Sequence, residues 1–237
     1  MQSLIEGTII LIDKPLHWSS FQAVNKLKWA IMKKYRLKKF KIGHAGTLDP
    51  LATGLLILCT GKYTKQIPQI QDAPKVYTGT IELGATTPSY DLETEVDAYF
   101  PTEHITDVLI EEVKRQFIGE LTQAPPLFSA IKKNGKRLYE LARKGETTEV
   151  PLRAITIHEL ALERTAEKEL SFRVHCSKGT YIRSLAHDIG KALGSGAHLT
   201  SLRRTQIGTH SVAEAYAPEA FVQQFLNHTL DDPKTIL

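Results

Sequence analysis

RAITIHELALE (residues 153–163), ELSFRVHCSKG (169–179) and TYIRSLAHDIGKALG (180–194) follow one another across a short polar break, and their periods decide the class of fold. The first two segments read as a strand pair, and the third reads as an amphipathic helix with Ile182, Leu185, Ile189 and Leu193 inward. Upstream, KVYTGTIELG (75–84) alternates like a strand, IEEVKRQF (110–117) like a helix, and LYELARKG (138–145) like a short helix closed by Gly145. Downstream, RRTQIG (203–208) is the last strand candidate, and beyond Gly208 about one short helix remains. Strands and helices mix without an internal repeat or a regular βαβ alternation. The expectation is an α+β fold, a mixed and largely antiparallel sheet with flanking helices, rather than a doubly wound one.

At the N-terminal end, GTIILID (7–13) reads as a buried strand ending at Lys14-Pro15, and SSFQAVNKLKWAIMKKY (19–35) shows helical spacing at Phe21, Val24, Leu27, Trp29 and Ile31. Ser19 or Ser20 supplies the N-cap. KIGHAGTLDPLATG (41–54) then packs three glycines and a proline into a structured loop that enters the apolar strand LLILC (55–59).

The chain has 237 residues, 42% of them hydrophobic, enough for a sizeable core and too apolar for a disordered chain. Cys59 and Cys176 sit in apolar runs as small buried side chains rather than in a paired framework, so a reducing, cytoplasmic setting is expected. MQSLIEGTIILIDKP has neither a basic leader nor a long apolar run, which indicates neither secretion nor membrane spanning. The net charge of +4 says less than its placement. Between Asp13 and Asp49 there is no acid, while Lys14, Lys26, Lys28, Lys33, Lys34, Arg36, Lys38, Lys39 and Lys41 all fall there, a pattern suited to a polyanion.

Common enzyme signatures are missing. Gly61-Lys62 runs into Tyr63 and makes no phosphate loop, the histidines and cysteines have no metal-ligand spacing, and no glycine-flanked nucleophilic serine occurs. No metal and no cofactor is expected. The strongest local feature is GHAGTLDPLATG (43–54), where Pro50 keeps Asp49 out of helical conformation. Read by itself, Asp49 is more simply a helix N-cap with Pro50 at the first helical position, and His44 a loop hydrogen-bonder. If Thr180 caps the next helix, Arg183 lies in its first turn, where the helix dipole disfavours a cation by roughly 0.3–1 kcal/mol unless a carboxylate stands near. Tyr77 is a core aromatic or a stacking platform for a base. Composition and spacing by themselves support a basic, RNA-associated protein. A noncatalytic RNA chaperone and a hydrolase using Asp49 with His44 both stay open at this point.

Six separated motifs, in order from about Gly7 to Gly208, resemble the bacterial TruB-type tRNA pseudouridine synthases. They are GHAGTLDPLATGLL (43–56), KVYTGTIELG, TTPSYD (86–91), QAPPLFSAIKKNGKRLYELARKG (123–145), CSKGTYIRSLAHDIG (176–190) and AHLTSLRRTQIG (197–208). The resemblance implies the pseudouridine-synthase fold with a central cleft, and isomerisation of the tRNA T-loop uridine by base flipping with an aspartate catalyst and no cofactor. It makes Asp49 the catalytic aspartate, Tyr77 the aromatic on the target base, Arg183 the ion-pair partner of Asp49, and Leu202 a contact near the uracil. His44, Lys65, Asp91, Lys14 and Tyr181 form the implied RNA-binding set. The expected partner is the tRNA T-arm, with no membrane and no protein partner, and the chain a monomer. Residues 1–208 would be the catalytic domain and 209–237 a short tail without a full RNA-binding module. Two positions depart from the pattern: His17 replaces a glycine in the DKPxG turn, and Phe128 stands where tyrosine is common.

Overall fold

GTIILID resolves into strand β1 (Ile9–Lys14), preceded by helix α1 (Gln2–Glu6) and followed by helix α2 (Ser20–Tyr35), strand β2 (Ile42–His44) and strand β3 (Ala52–Thr60). The computed structural model describes residues 2–129, 132–133, 136–138 and 150–227. The chain divides into two units, Met1–Val76 with Arg203–Leu237, and Tyr77–Leu202. Among the described residues no helix is long and apolar enough to cross a membrane.

In the first unit β1 pairs antiparallel with β3, Ile9 opposite Cys59 and Ile12 opposite Leu56, and β2 pairs antiparallel with β3. The unit also holds helix α3 (Ile67–Asp72), the 203–207 end of a long strand that follows β3 in the sheet order, and a final helix over Pro218–Leu226. Because side chains alternate across a strand, Ile10, Ile12, Leu56 and Leu58 cluster on one face with Leu27, Ile31, Phe221 and Phe225. Ile9, Leu11, Leu55, Ile57 and Cys59 cluster with Ala45 and Ile207 on the other. β3 is therefore apolar on both faces, which explains the unbroken run LLILC. Each such fully buried Leu or Ile contributes about 1.5–3 kcal/mol. Burial pushes the Cys59 thiol up to about 11, and both Cys59 and Cys176 are free and buried.

Ser19 caps α2, and with Gln22 it forms a capping box: Gln22 N donates to Ser19 Oγ, and Ser19 N donates to Gln22 Oε1. The buried face of α2 is Ser20, Ala23, Val24, Leu27, Ala30 and Ile31. Phe21 and Trp29, which the sequence spacing set on the inward stripe, are instead 67% and 76% exposed. The spacing joined residues 21, 24, 27, 29 and 31, but a 3.6-residue turn puts 29 on the far side from 27 and 31.

The second unit contains β4 (Lys75–Leu83, entering from Val76), β5 (Ala85–Thr86) paired with β6 (Ala98–Tyr99), α4 (Asp107–Gln116) and β7 (Gly119–Gln123). After the antiparallel pair β8 (Lys132–Lys133) and β9 (Lys136–Arg137) come β10 (Arg153–Ala166), β11 (Glu169–Cys176), α5 (Ile182–Ala192) and β12 (Ala197–Ile207). The sheet order here is β12, β4, β11, β10, β7, with β10 antiparallel to both β11 and β7. The register of β10 shifts between Ile157 and Glu159. That bulge leaves His158 and Glu159 both exposed and changes the parity of the buried residues, from Ile155 and Ile157 to Leu160. Ile182, Leu185, Ile189 and Leu193 lie in the core as expected, with Phe172, Val174, Ile110 and Val113. The last part of the chain adds β13 (His210–Ser211) and α6 (Pro218–Leu226). The architecture is α+β, with a mixed sheet and flanking helices. The helix expected over LYELARKG lies mostly outside the described residues.

His17, in the place of a turn glycine, adopts φ +65 and its N–H donates to Pro50 O at 2.8 Å. The turn keeps a left-handed backbone although its residue carries a Cβ. Since that conformation costs a non-glycine residue roughly 1–2 kcal/mol, partly offset by glycine's larger chain entropy, His17→Gly should stabilise the protein by up to about 1 kcal/mol, read as a raised Tm.

Candidate active site

The expected site residues divide between the units: Asp49, His44, Lys65 and Lys14 belong to the first, and Tyr77, Asp91, Tyr181, Arg183 and Leu202 to the second.

In the first unit Asp49 is half-buried at the start of a β-turn, in which Ala52 N donates to Asp49 O at 3.0 Å with Pro50 at the second position. Strand β3 follows directly, so no helix exists for Asp49 to cap, and the N-cap reading is overturned. The loop is held through its main chain. Leu48 N donates to Ser20 Oγ at 2.8 Å, and Ser20 Oγ donates to Leu48 O at 3.1 Å. Arg204, 2% exposed, donates from Nε to Leu55 O at 2.8 Å, from Nη2 to Gly46 O at 3.1 Å and from Nη1 to Thr47 O at 3.4 Å. Gly54 makes this approach possible: its φ is +102, and a Cβ there would stand 2.2 Å from Arg204 O.

Lys14, expected to meet RNA, has no exposed surface, and its ammonium donates to Pro15 O at 2.9 Å and Trp18 O at 2.6 Å. Burial pulls its pKa down to about 8, with the Asp49 carboxylate acting upward and the Arg204 guanidinium downward. The nearby carboxylate is thus felt by a buried cation two strands' ends away in sequence. His44 ends β2, half-buried; burial lowers its pKa, Arg204 lowers it further, and the main chain of Gly46 opposes. Lys65 is exposed in the 3-10 turn Gly61–Gln66.

In the second unit the TTPSYD turn folds onto the start of α5. Arg183, 4% exposed, donates from Nη1 to Ser89 O at 3.1 Å and from Nη2 to Phe128 O at 2.9 Å, and its Nε lies 3.6 Å from Asp91 Oδ2. Asp91, 5% exposed, also accepts Glu93 N at 3.0 Å. The cation disfavoured in a first helical turn therefore has a buried carboxylate within its own unit, and that carboxylate is Asp91. At Phe128 it is the main-chain oxygen that is used. Tyr90, at φ +63, stacks on His187 with ring centroids 3.9 Å apart, and burial, aided by Lys191, lowers the His187 pKa to about 4. Tyr181, not Thr180, is the N-cap of α5. Thr180 Oγ donates to Ser177 O, while Gln123 brackets Tyr181, accepting its N–H at 2.8 Å and donating to its carbonyl at 3.0 Å. The Arg153 guanidinium lies 5.2 Å from the Tyr181 ring centroid. Tyr77 and Leu202 are partly buried against the core of this unit.

Sequence reasoning missed Ser20, Gln123 and Arg204 as the residues that fix these loops. The adjacent pair Arg203-Arg204 was the available signal: one of two neighbouring arginines on a strand must face inward. Arg203 instead pairs with Asp13, at 2.7 and 3.0 Å. Among the described residues no group of three or more histidine, cysteine or acidic side chains stands together as a metal site.

The comparisons with known proteins agree with these motifs. The model of the TruB family pseudouridylate synthase N-terminal domain matches residues 33–182, and that of the tRNA pseudouridylate synthase B C-terminal domain matches residues 183–234. The tRNA pseudouridine synthase B of Flavobacterium johnsoniae is 64% identical over 215 residues, 90% of this chain and 94% of that protein. Its counterpart in Phocaeicola vulgatus is 54% identical over 216 residues, covering 91% and 92% of the two chains. Among solved structures, a chain of a Cbf5-Nop10-Gar1 complex aligns over 96% of this chain with a TM-score of 0.71 and 29% identity. The present chain spans 57% of the length of that one.

The buried ammonium of Lys14 gives a pH signature. Below about pH 8 the folded and unfolded chains both hold its proton. Between about 8 and the ordinary lysine value of 10.5, the unfolded chain keeps a proton that the folded chain releases. Stability relative to Lys14→Met should therefore rise across that window, as read by urea unfolding of both proteins at pH 7 and pH 9.5.

Proposed function

This chain belongs to the TruB family of pseudouridylate synthases, and we propose that it isomerises the T-loop uridine of tRNA, position 55, to pseudouridine with Asp49 as the catalytic carboxylate. One observation supports this most: Asp49 sits in a turn fixed through its main chain by Ser20, His17 and Arg204, and caps no helix. A carboxylate on so rigid a loop is preorganised for chemistry.

In the reaction the bond from N1 to C1′ breaks, the uracil turns, and C5 bonds to C1′; C5 gives up its proton and N1 gains one. Atoms and electrons balance, so neither a nucleotide nor a redox group is needed. The stacked uridine must first leave the T-loop, at a cost of a few kcal/mol. Tyr77 offsets that cost by stacking on the base, worth about 1–3 kcal/mol, with Leu202 beside it. Asp49 then attacks the sugar or base covalently, or removes a sugar proton. Arg183, held in direction by Ser89 O, Phe128 O and Asp91, supplies the cation of the site, and Asp91, His44, Lys65 and Tyr181 hold the rearranged loop. Lys14, being enclosed, acts on the RNA through the Asp49 loop. The same reading makes the chain a cytoplasmic monomer that needs no protein partner.

Asp49→Asn keeps the shape but loses the nucleophile and base. It should cut turnover by at least about 10²–10⁴-fold with tRNA affinity unchanged or tighter, measured as label released from uridine C5. Substantial turnover by this variant refutes the assignment. Product-free binding by the native chain would instead mark an RNA chaperone, and a released base would mark a hydrolase.

Arg183→Lys should lower kcat more than it raises KM. One ammonium cannot reproduce donation in the separate directions of Ser89 O, Phe128 O and Asp91. An equal effect on both constants would remove the directional role.

A further inference from the structure

Helix α2 carries its largest side chain on the wrong side for packing. Its core face is complete without Trp29, which stands 76% exposed in an open groove of about 440 Å³ lined by Asn25, Lys28, Met32, Lys33 and Leu37. That volume lies within the roughly 300–1,000 Å³ of small-molecule sites. The surrounding charge has one sign. No acid occurs between Asp13 and Asp49. Lys26 is engaged with Glu219 at 3.9 Å, and Lys34 lies 4.1 Å from the Phe225 ring centroid and donates to Phe225 O. Lys28, Lys33, Lys38 and Lys39 make no ion pair among the described residues.

An indole face offers a stacking platform, and unpaired ammonium groups beside it attract phosphates. Together these are what single-stranded RNA recognises. A second copy of the same face would bring like charges together and is disfavoured. Position separates the groove from the Asp49 loop. α2 is tied to the Asp49 loop at Ser20, through Leu48. Trp29 lies nine residues further, about 13 Å along the axis at 1.5 Å per residue.

We propose that this groove binds a second, unpaired base of the RNA substrate, stacked on Trp29, with its flanking phosphates held by Lys28 and Lys33. The inference rests on the reading of the chain as an RNA-modifying enzyme and adds to it a subsite remote from the reacting nucleotide.

The chain has two tryptophans, so Trp18→Phe leaves Trp29 as the only indole reporter. Titration of that variant with tRNA should quench the Trp29 fluorescence and reduce its access to acrylamide. In the otherwise native chain, Trp29→Ala should weaken tRNA binding roughly tenfold and leave kcat at saturating tRNA unchanged, while Trp29→Tyr restores most of the affinity. Lys28→Gln with Lys33→Gln should flatten the plot of log affinity against log salt by about 1.4–1.8.

Unchanged fluorescence and affinity overturn the proposal. So does a fluorescence change that follows chain concentration rather than tRNA and vanishes in Trp29→Ala, which would make the groove a contact between copies. Release of label from uridine C5 by the native chain is scored separately. Quenching of Trp29 without any release supports the groove while removing the catalytic reading; release with Trp29 silent does the reverse.

Discussion

A guanidinium that is 2% exposed and makes no ion pair among the described residues sets the geometry of the first unit. Arg204 spends its donors on the carbonyls of Gly46, Thr47 and Leu55, so the loop carrying Asp49 is wrapped around a planar fork of fixed directions. Three carbonyls can converge on one side chain only if the backbone between them bends sharply. Gly46 at φ +106 and Gly54 at φ +102 provide the bends. The cation also reaches beyond its hydrogen bonds, lowering the pKa of both Lys14 and His44. With Lys14 enclosed beside it, the loop holds a concentration of positive charge where the sequence places its one motif aspartate.

The second unit uses the same device. Arg183 is buried at the start of α5, where the helix dipole opposes it, and donates to the carbonyls of Ser89 and Phe128 while Asp91 lies against its Nε. Asp91 belongs to a turn that closes on itself, with Thr87 Oγ donating to Asp91 O at 2.7 Å and Tyr90 held in a left-handed conformation against His187. Removing either arginine would leave buried carbonyls without donors, a larger penalty than the loss of a surface ion pair.

Much of this architecture was legible where local chemistry dominates. The strand pair 153–176, the helix from Ile182, the Ser19 cap and the buried strand LLILC follow from period and capping. The aspartate and arginine motifs stood out by their glycines and order. Other features required the third dimension. The bulge at Ile157–Glu159 shifts the inward parity of β10, which a fixed period cannot express. Trp29 is apolar and near the spacing of a buried stripe, yet the helix turns it outward. Asp49-Pro50 satisfies the pattern of a helix start and of a β-turn equally. Only the strand beginning at Ala52 distinguishes the two. Arg204 looked like any strand-end cation, because the acceptors it needs are carbonyls some 150 positions away, and carbonyls leave no trace in residue identity.

That last point bears on how such a loop tolerates change. A carboxylate partner can be replaced by another carboxylate nearby, but a carbonyl partner ties the cation to a backbone path. The loop and Arg204 are then one unit: lysine at 204 would satisfy fewer of the three carbonyls, and a side chain at position 54 would strike the Arg204 backbone itself. α2 joins this unit through Ser20, whose hydroxyl both accepts from and donates to Leu48. A displacement of the helix would therefore be transmitted to the residue preceding Asp49. The face of α2 that carries Trp29 lies nine residues from that anchor and is a separate surface, so a side chain lost at position 29 removes none of the hydrogen bonds that hold the Asp49 loop.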